Sequence, residues 1–132
     1  MDDVLDILPG EIAENLNRVQ DKMRAACLRS GRNPEEVTLV AVSKTRPYSA
    51  ILEALGAGAR DFGENYVQEL TGKMEQDEER DAGSPIRWHM IGHLQRNKVK
   101  YLVGKTSLIH AVDSVSLAET IEKESARKGL VT

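Results

Sequence analysis

Short apolar runs alternate with amphipathic stretches along this chain, and that alternation restricts its possible folds more than any other feature. Val37-Thr38-Leu39-Val40-Ala41-Val42-Ser43-Lys44 is β-branched and largely apolar, the pattern of a strand buried on both faces of a parallel sheet. Pro47 follows and opens a helix through Ile51, Leu52 and Leu55, which Gly56 and Gly58 close. The unit then recurs. A strand at Asp61-Phe62-Gly63-Glu64 leads to a helix bearing Val67, Leu70 and Met74. Arg87-Trp88-His89-Met90-Ile91 leads to a helix with Leu94, Val99 and Leu102. Leu108-Ile109-His110-Ala111-Val112 leads to a helix with Val115, Ala118 and Ile121, capped by Gly129. Ahead of these units, Ile12, Leu16, Val19, Met23 and Cys27 form the apolar stripe of an opening helix that Ser30-Gly31 ends.

Four strand–helix units after an initial helix imply a parallel α/β architecture. No glycine fingerprint for a dinucleotide is present, so an open nucleotide-binding sheet lacks its marker. A closed (β/α) barrel takes eight such units and roughly 250 residues. The 132 residues here hold four, and Leu130-Val131-Thr132 reads as the start of a fifth strand. The expected fold is a partial (β/α) barrel, with residues 1–132 as one incomplete domain and the polar stretch 75–86 as a mobile loop. Open strand edges in such a half-barrel imply self-association with another copy, or a longer parent protein.

Composition narrows the function. Eighteen basic and 21 acidic residues give a net charge of −3, which supplies no field for nucleic acid or an anionic membrane. The start, MDDVLDILPGEIAENL, has neither a basic leader nor a long apolar stretch, so no secretion signal and no membrane span are expected. A single cysteine, Cys27, cannot form an internal disulfide, which agrees with a reducing, cytoplasmic setting.

In barrels, functional residues sit at the C-terminal ends of strands. That rule selects Ser43-Lys44-Thr45, Gly63-Glu64-Asn65, His89 to His93, and Asp113-Ser114. A lysine ending an apolar strand is partly desolvated, which lowers an amine's pKa and frees the nucleophile that a Schiff base needs. The alternative for Lys44 is a lysine that merely marks the strand's exit into solvent. Asn65 can serve a ligand's oxygen or carboxylate, or simply cap the following helix. His89 can face the barrel interior or pack in its wall. His89 and His93 lie four apart but lack the glutamate of the zinc-protease motif, and Gly92 between them argues against a helix, so no metal is expected. Gly104-Lys105-Thr106 lacks the first glycine of a phosphate-binding loop and runs from helix to strand, the wrong order. Arg96, Lys98 and Lys100 read as a solvated helix face.

Three segments together carry a resemblance: Val40-Ala41-Val42-Ser43-Lys44-Thr45, Phe62-Gly63-Glu64-Asn65-Tyr66-Val67-Gln68-Glu69, and Trp88-His89-Met90-Ile91-Gly92-His93-Leu94-Gln95-Arg96-Asn97-Lys98. Ile109-His110-Ala111-Val112-Asp113-Ser114 adds a weaker fourth. In this order and spacing they resemble the YggS/PROSC-type pyridoxal-phosphate homeostasis proteins, in their N-terminal part. The resemblance implies the first half of a fold-type III barrel like the N-terminal domain of alanine racemase. It implies pyridoxal 5′-phosphate held as an aldimine on Lys44, with Asn65 and His89 beside the cofactor and Arg46 as a nearby basic residue. It further implies a carrier, without catalysis of its own, that influences vitamin B6 and amino-acid balance and exchanges cofactor with pyridoxal-phosphate-dependent apoenzymes. The family's phosphate-binding loops come from later strands, so this chain is expected to bind the cofactor weakly or not at all. Two other classes share the lysine: an amino-acid racemase, which needs an acid or base on each cofactor face and for which no opposing tyrosine can be assigned, and a cofactor-free Schiff-base aldolase.

Overall fold

A computed structural model describes residues 10–132. Helix α1 (Glu11–Arg29) precedes four strands, β1 (Val40–Val42), β2 (Asp61–Glu64), β3 (Arg87–Met90) and β4 (Leu108–Ile109). Helices α2 (Tyr48–Gly56) and α3 (Val67–Arg80) follow β1 and β2. A 3-10 helix at Arg96–Tyr101 follows β3, and α4 (Val115–Arg127) follows β4. The strands form one parallel sheet in the order β1-β2-β3-β4, with Val42 level with Gly63, Gly63 with His89, and His89 with Leu108. The partial (β/α) barrel read from the sequence is the fold observed.

Strand alternation divides the sheet into two faces. Ala41, Phe62, Trp88, Met90 and Ile109 point toward the helices and pack with Ile51, Leu70, Val99, Leu102 and Leu117 into the apolar core. Asp61, Gly63, Arg87, His89, Leu108 and His110 share the opposite, inner face, which no described helix covers. Phe62, Leu70, Met90, Val99 and Leu102 are at most 1% exposed. Truncating Phe62, Leu70, Met90 or Leu102 to alanine would cost about 2–5 kcal/mol.

Several elements differ from the sequence reading. The first strand spans only Val40–Val42, and Val42 is exposed. Residues 75–80 are not a loop: α3 continues through them to Arg80, and only residues 81–86 connect it to β3. That polar end of the helix is held by charge rather than by apolar burial. Buried Asp77 accepts hydrogen bonds from Tyr48 Oη at the start of α2 and from Arg80, and Arg80 Nε also donates to Tyr48 Oη at 2.8 Å. The segment bearing Val99 winds as a 3-10 rather than an α-helix. β4 covers two residues of the five expected, and 130–132 are not a strand. Ser114 caps α4 by accepting the Leu117 N–H at 3.0 Å. Among the described residues, no helix is long and apolar enough to cross a membrane.

Candidate functional site

Lys44 stands just past β1, in a four-residue turn closed by the Arg46 N–H donating to Ser43 O at 3.1 Å. Thr45, the third residue of that turn, has φ 63°, the only positive φ of a non-glycine among the described residues. A threonine in this region costs on the order of 1 kcal/mol and must be held by its surroundings. The Lys44 side chain is exposed, not partly desolvated as its apolar strand suggested, because the chain turns outward one residue earlier. Its Nζ has no hydrogen-bond or ion-pair partner among the described residues.

The turn rests on a buried charged cluster. Lys73 of α3, 5% exposed, donates from Nζ to Ser43 O at 2.7 Å, to Glu64 Oε2 at 2.8 Å and to Glu69 Oε2 at 2.9 Å. Ser43 Oγ also donates to Glu64 Oε2. Glu69 Oε2 accepts the Thr45 N–H at 2.6 Å. Glu64 is completely buried, and its Oε1 has no partner among the described residues. Both residues flanking Lys44 are therefore tied to side chains from β2 and α3.

Asn65 follows β2 directly. It is not a helix cap: α3 begins at Val67 with Tyr66 in the cap position and no side-chain cap bond. Asn65 is half-buried and lines a recess of about 520 Å³ with Tyr66, Gly92, His93 and Lys98. Gly92 is required there, since a Cβ would lie 2.3 Å from Asn65 O and 2.8 Å from its Cα. The loops after β2 and β3 thus touch backbone to backbone.

His89 occupies the inner face, two residues below the level of Lys44 along the strands. Both of its ring nitrogens are engaged. Nε2 lies 2.9 Å from Asp61 Oδ1, and Nδ1 lies 2.9 Å from His110 Nε2. Asp61 is 5% exposed and is gripped by Arg87, whose Nε and Nη2 donate at 2.9 and 2.7 Å. The Arg87 bonds, helped by His89 and opposed by burial, hold the Asp61 carboxyl below the usual carboxylate range. If the ionised carboxylate accepts the His89 Nε2–H and the ring carries no second proton, Nδ1 accepts from His110 Nε2–H. His110, exposed on the inner face, then keeps Nδ1 free.

A depressed folded-state pKa means that ionised Asp61 favours folding. Its contribution is complete above the ordinary carboxylate value of about 4 and fades as the pH falls through the lower folded value. Chemical denaturation from pH 6 to pH 2 should show Asp61→Asn losing less stability than the wild type over that window. Equal losses would show that the Arg87–Asp61–His89 chain contributes nothing to acid stability.

The three residues selected from sequence do not share one enclosed cavity. Lys44 and Asn65 lie at the C-terminal ends of neighbouring strands, and His89 lies lower on the inner face. Arg46 instead lines a recess of about 430 Å³ between α1, α2 and β1, with its Nη1 buried and unpartnered among the described residues. The roles of Glu64, Lys73, Asp61 and His110 went unread in the sequence. Only the Glu69–Lys73 pair, four apart on one helix, carried a local signal. Among the described residues, no group of three histidine, cysteine or acidic side chains is placed to hold a metal ion.

No protein-family model matches the chain. The pyridoxal phosphate homeostasis protein of Escherichia coli is 46% identical over 114 residues, 86% of this chain and 48% of that protein. A protein of Bifidobacterium adolescentis superposes with a TM-score of 0.84 at 35% identity, over 92% of this chain and 52% of its own. PipY of Synechococcus elongatus, solved with PLP bound, gives a TM-score of 0.68 at 43% identity, over 89% of this chain and 50% of its own. The chain spans about half the length of the curated relatives it matches. Over that half, it is similar in sequence to the pyridoxal phosphate homeostasis protein of Escherichia coli and in fold to PipY.

Proposed function

We propose that this chain takes part in holding pyridoxal 5′-phosphate, with Lys44 as the attaching amine, as a carrier in cofactor homeostasis rather than as an enzyme. The observation that carries this reading is the exposed, unpartnered Lys44 amine on a pinned turn at the C-terminal end of β1. Bound pyridoxal phosphate supplies an aldehyde, which an amine captures reversibly with loss of one water. The donor set fits that end of the molecule. Lys44 offers the amine, and Asn65, on the adjacent strand end, offers amide donors and an acceptor for a ring oxygen. His89, with both nitrogens engaged, offers ring surface rather than a free polar atom. The similarity to the PLP-bound PipY protein supports the same ligand.

The test is titration with pyridoxal phosphate, followed by absorbance and by intact mass after borohydride reduction. Wild type should gain one cofactor mass, mapped to the Lys44 peptide, and Lys44→Ala should lose most of that gain. Equal labelling of the variant would remove Lys44 from the site, and an unlabelled wild type would show that this chain does not hold the cofactor. Conversion of L-alanine to D-alanine would overturn the carrier reading in favour of a racemase. The same reading includes release of cofactor to dependent apoenzymes, measurable as restored activity of an apoenzyme mixed with loaded protein. It also includes self-association through the inner face, where Val42 and Leu108 are 54% and 52% exposed. A concentration-independent monomer in size-exclusion chromatography would rule out that association.

A further inference from the structure

We infer that Glu69 and Lys73 are positioning residues for Lys44. On this inference, the Ser-Lys-Thr segment and the Gly-Glu-Asn…Glu segment form one device for presenting an amine. The inference rests on the reading of Lys44 as the attaching residue, and it concerns how fast and in what geometry that amine is offered. Four features of the structure carry it.

The first is the pattern of anchors. Lys44 lies between Ser43, whose carbonyl accepts the Lys73 ammonium, and Thr45, whose N–H donates to Glu69. Glu69 Oε2 accepts from both Thr45 N–H and Lys73 Nζ, so one carboxylate oxygen couples the two anchors. The second is strain. Thr45 holds a left-handed φ of 63° that a free threonine seldom adopts, and the Glu69 bond fixes the N–H of that same residue. Without it, the backbone can relax and re-aim the preceding side chain. The third is burial. The Lys73 side chain is 6% exposed and that of Glu64 is 0% exposed, so their ion pair is little screened by solvent and defines one geometry. The fourth is selectivity. Lys44 itself takes no part in the cluster, which leaves its amine free, whereas the Lys73 amine makes three bonds and is shielded from reaction. Two lysines thus divide the work: Lys73 is spent on structure so that Lys44 is available for chemistry.

A purely structural role for the cluster would lower stability when the cluster is cut and leave Lys44 loading unchanged at temperatures where the variant stays folded. Positioning predicts something else. Glu69→Ala removes the Thr45 anchor from a side chain that is 25% exposed, which limits the damage to the core. In folded Glu69→Ala, the rate of covalent loading by pyridoxal phosphate should fall by roughly tenfold. Glu69→Gln keeps an acceptor oxygen for Thr45 N–H and should recover most of that rate. The companion measurement needs no cofactor. Amide hydrogen exchange at Thr45, followed by NMR, should accelerate in Glu69→Ala and return toward wild type in Glu69→Gln. Unchanged Thr45 exchange in Glu69→Ala, or unchanged loading despite faster exchange, would overturn the inference. A wild type that takes up no cofactor would instead overturn the function proposed for Lys44 and the loading role with it. The Thr45 exchange would then still decide whether the cluster holds the turn.

Discussion

Lys73→Met should destabilise the protein by about 3–5 kcal/mol, the usual cost of leaving one charge of a buried pair without its partner. The substitution preserves much of the side chain's length and apolar stem, so it removes little packing. What it removes is, among the described residues, the only cation bonded to Glu64, a carboxylate that is completely buried. One Glu64 oxygen is already without a partner, and the other would keep only the Ser43 hydroxyl. Ser43 O would retain the Arg46 N–H but lose its charged donor. Urea denaturation of Lys73→Met, Glu64→Gln and the double variant separates the possible causes. The double variant should be more stable than Lys73→Met alone, because a neutral amide tolerates burial that a bare carboxylate does not. If Lys73→Met unfolds within about 0.5 kcal/mol of wild type, the range of ordinary surface substitutions, the pair does not carry the weight assigned to it.

Gly92→Ala should be the second severe change, although it adds only one methyl group. That Cβ would lie 2.3 Å from Asn65 O and within 2.9 Å of two further Asn65 backbone atoms. Backbone cannot swing aside as a flexible side chain can, so the loops after β2 and β3 must separate. Overpacking of this kind costs about 1–3 kcal/mol. The separation would displace Asn65 from its place beside the end of β1, so cofactor loading should fall further than stability does. Thermal melts and loading measured on one preparation would reveal that difference. A variant with wild-type melting temperature and loading would show that the two loops are not in contact.

The architecture was readable because it depends on local pattern, and so was the position of Lys44 just past the end of a strand. Alternating apolar runs and helix stripes announced four parallel units, and the strand-end rule placed Lys44. The charged cluster was not readable in the same way. Glu64 sits in a strand and Lys73 two turns into a helix, and nothing local tells that both enter the interior. The end of α3 was misread for a related reason. Residues 75–80 lack an apolar stripe, and the contacts that keep them helical, from Asp77 and Arg80 to Tyr48, come from a distant helix. Of the apolar residues expected on a longer helix, Leu94, Val99 and Leu102, all are buried but only Val99 lies within the 3-10 helix at Arg96–Tyr101. Asn65 was open to a reading as a cap because asparagine favours that position, yet Tyr66 takes it, and Asn65 instead lies backbone to backbone with Gly92.

The sheet runs β1-β2-β3-β4 in sequence order. Each of these four strands therefore meets its neighbour after only one intervening segment, and no pairing among them must wait for a remote part of the chain. Folding can proceed by adding one unit to the last, with a modest loop-closure penalty at every step. The Ser43–Glu64–Lys73 contacts join the first two units, so the turn that presents Lys44 can be completed as soon as β2 and α3 have docked, before β3 or β4 is in place.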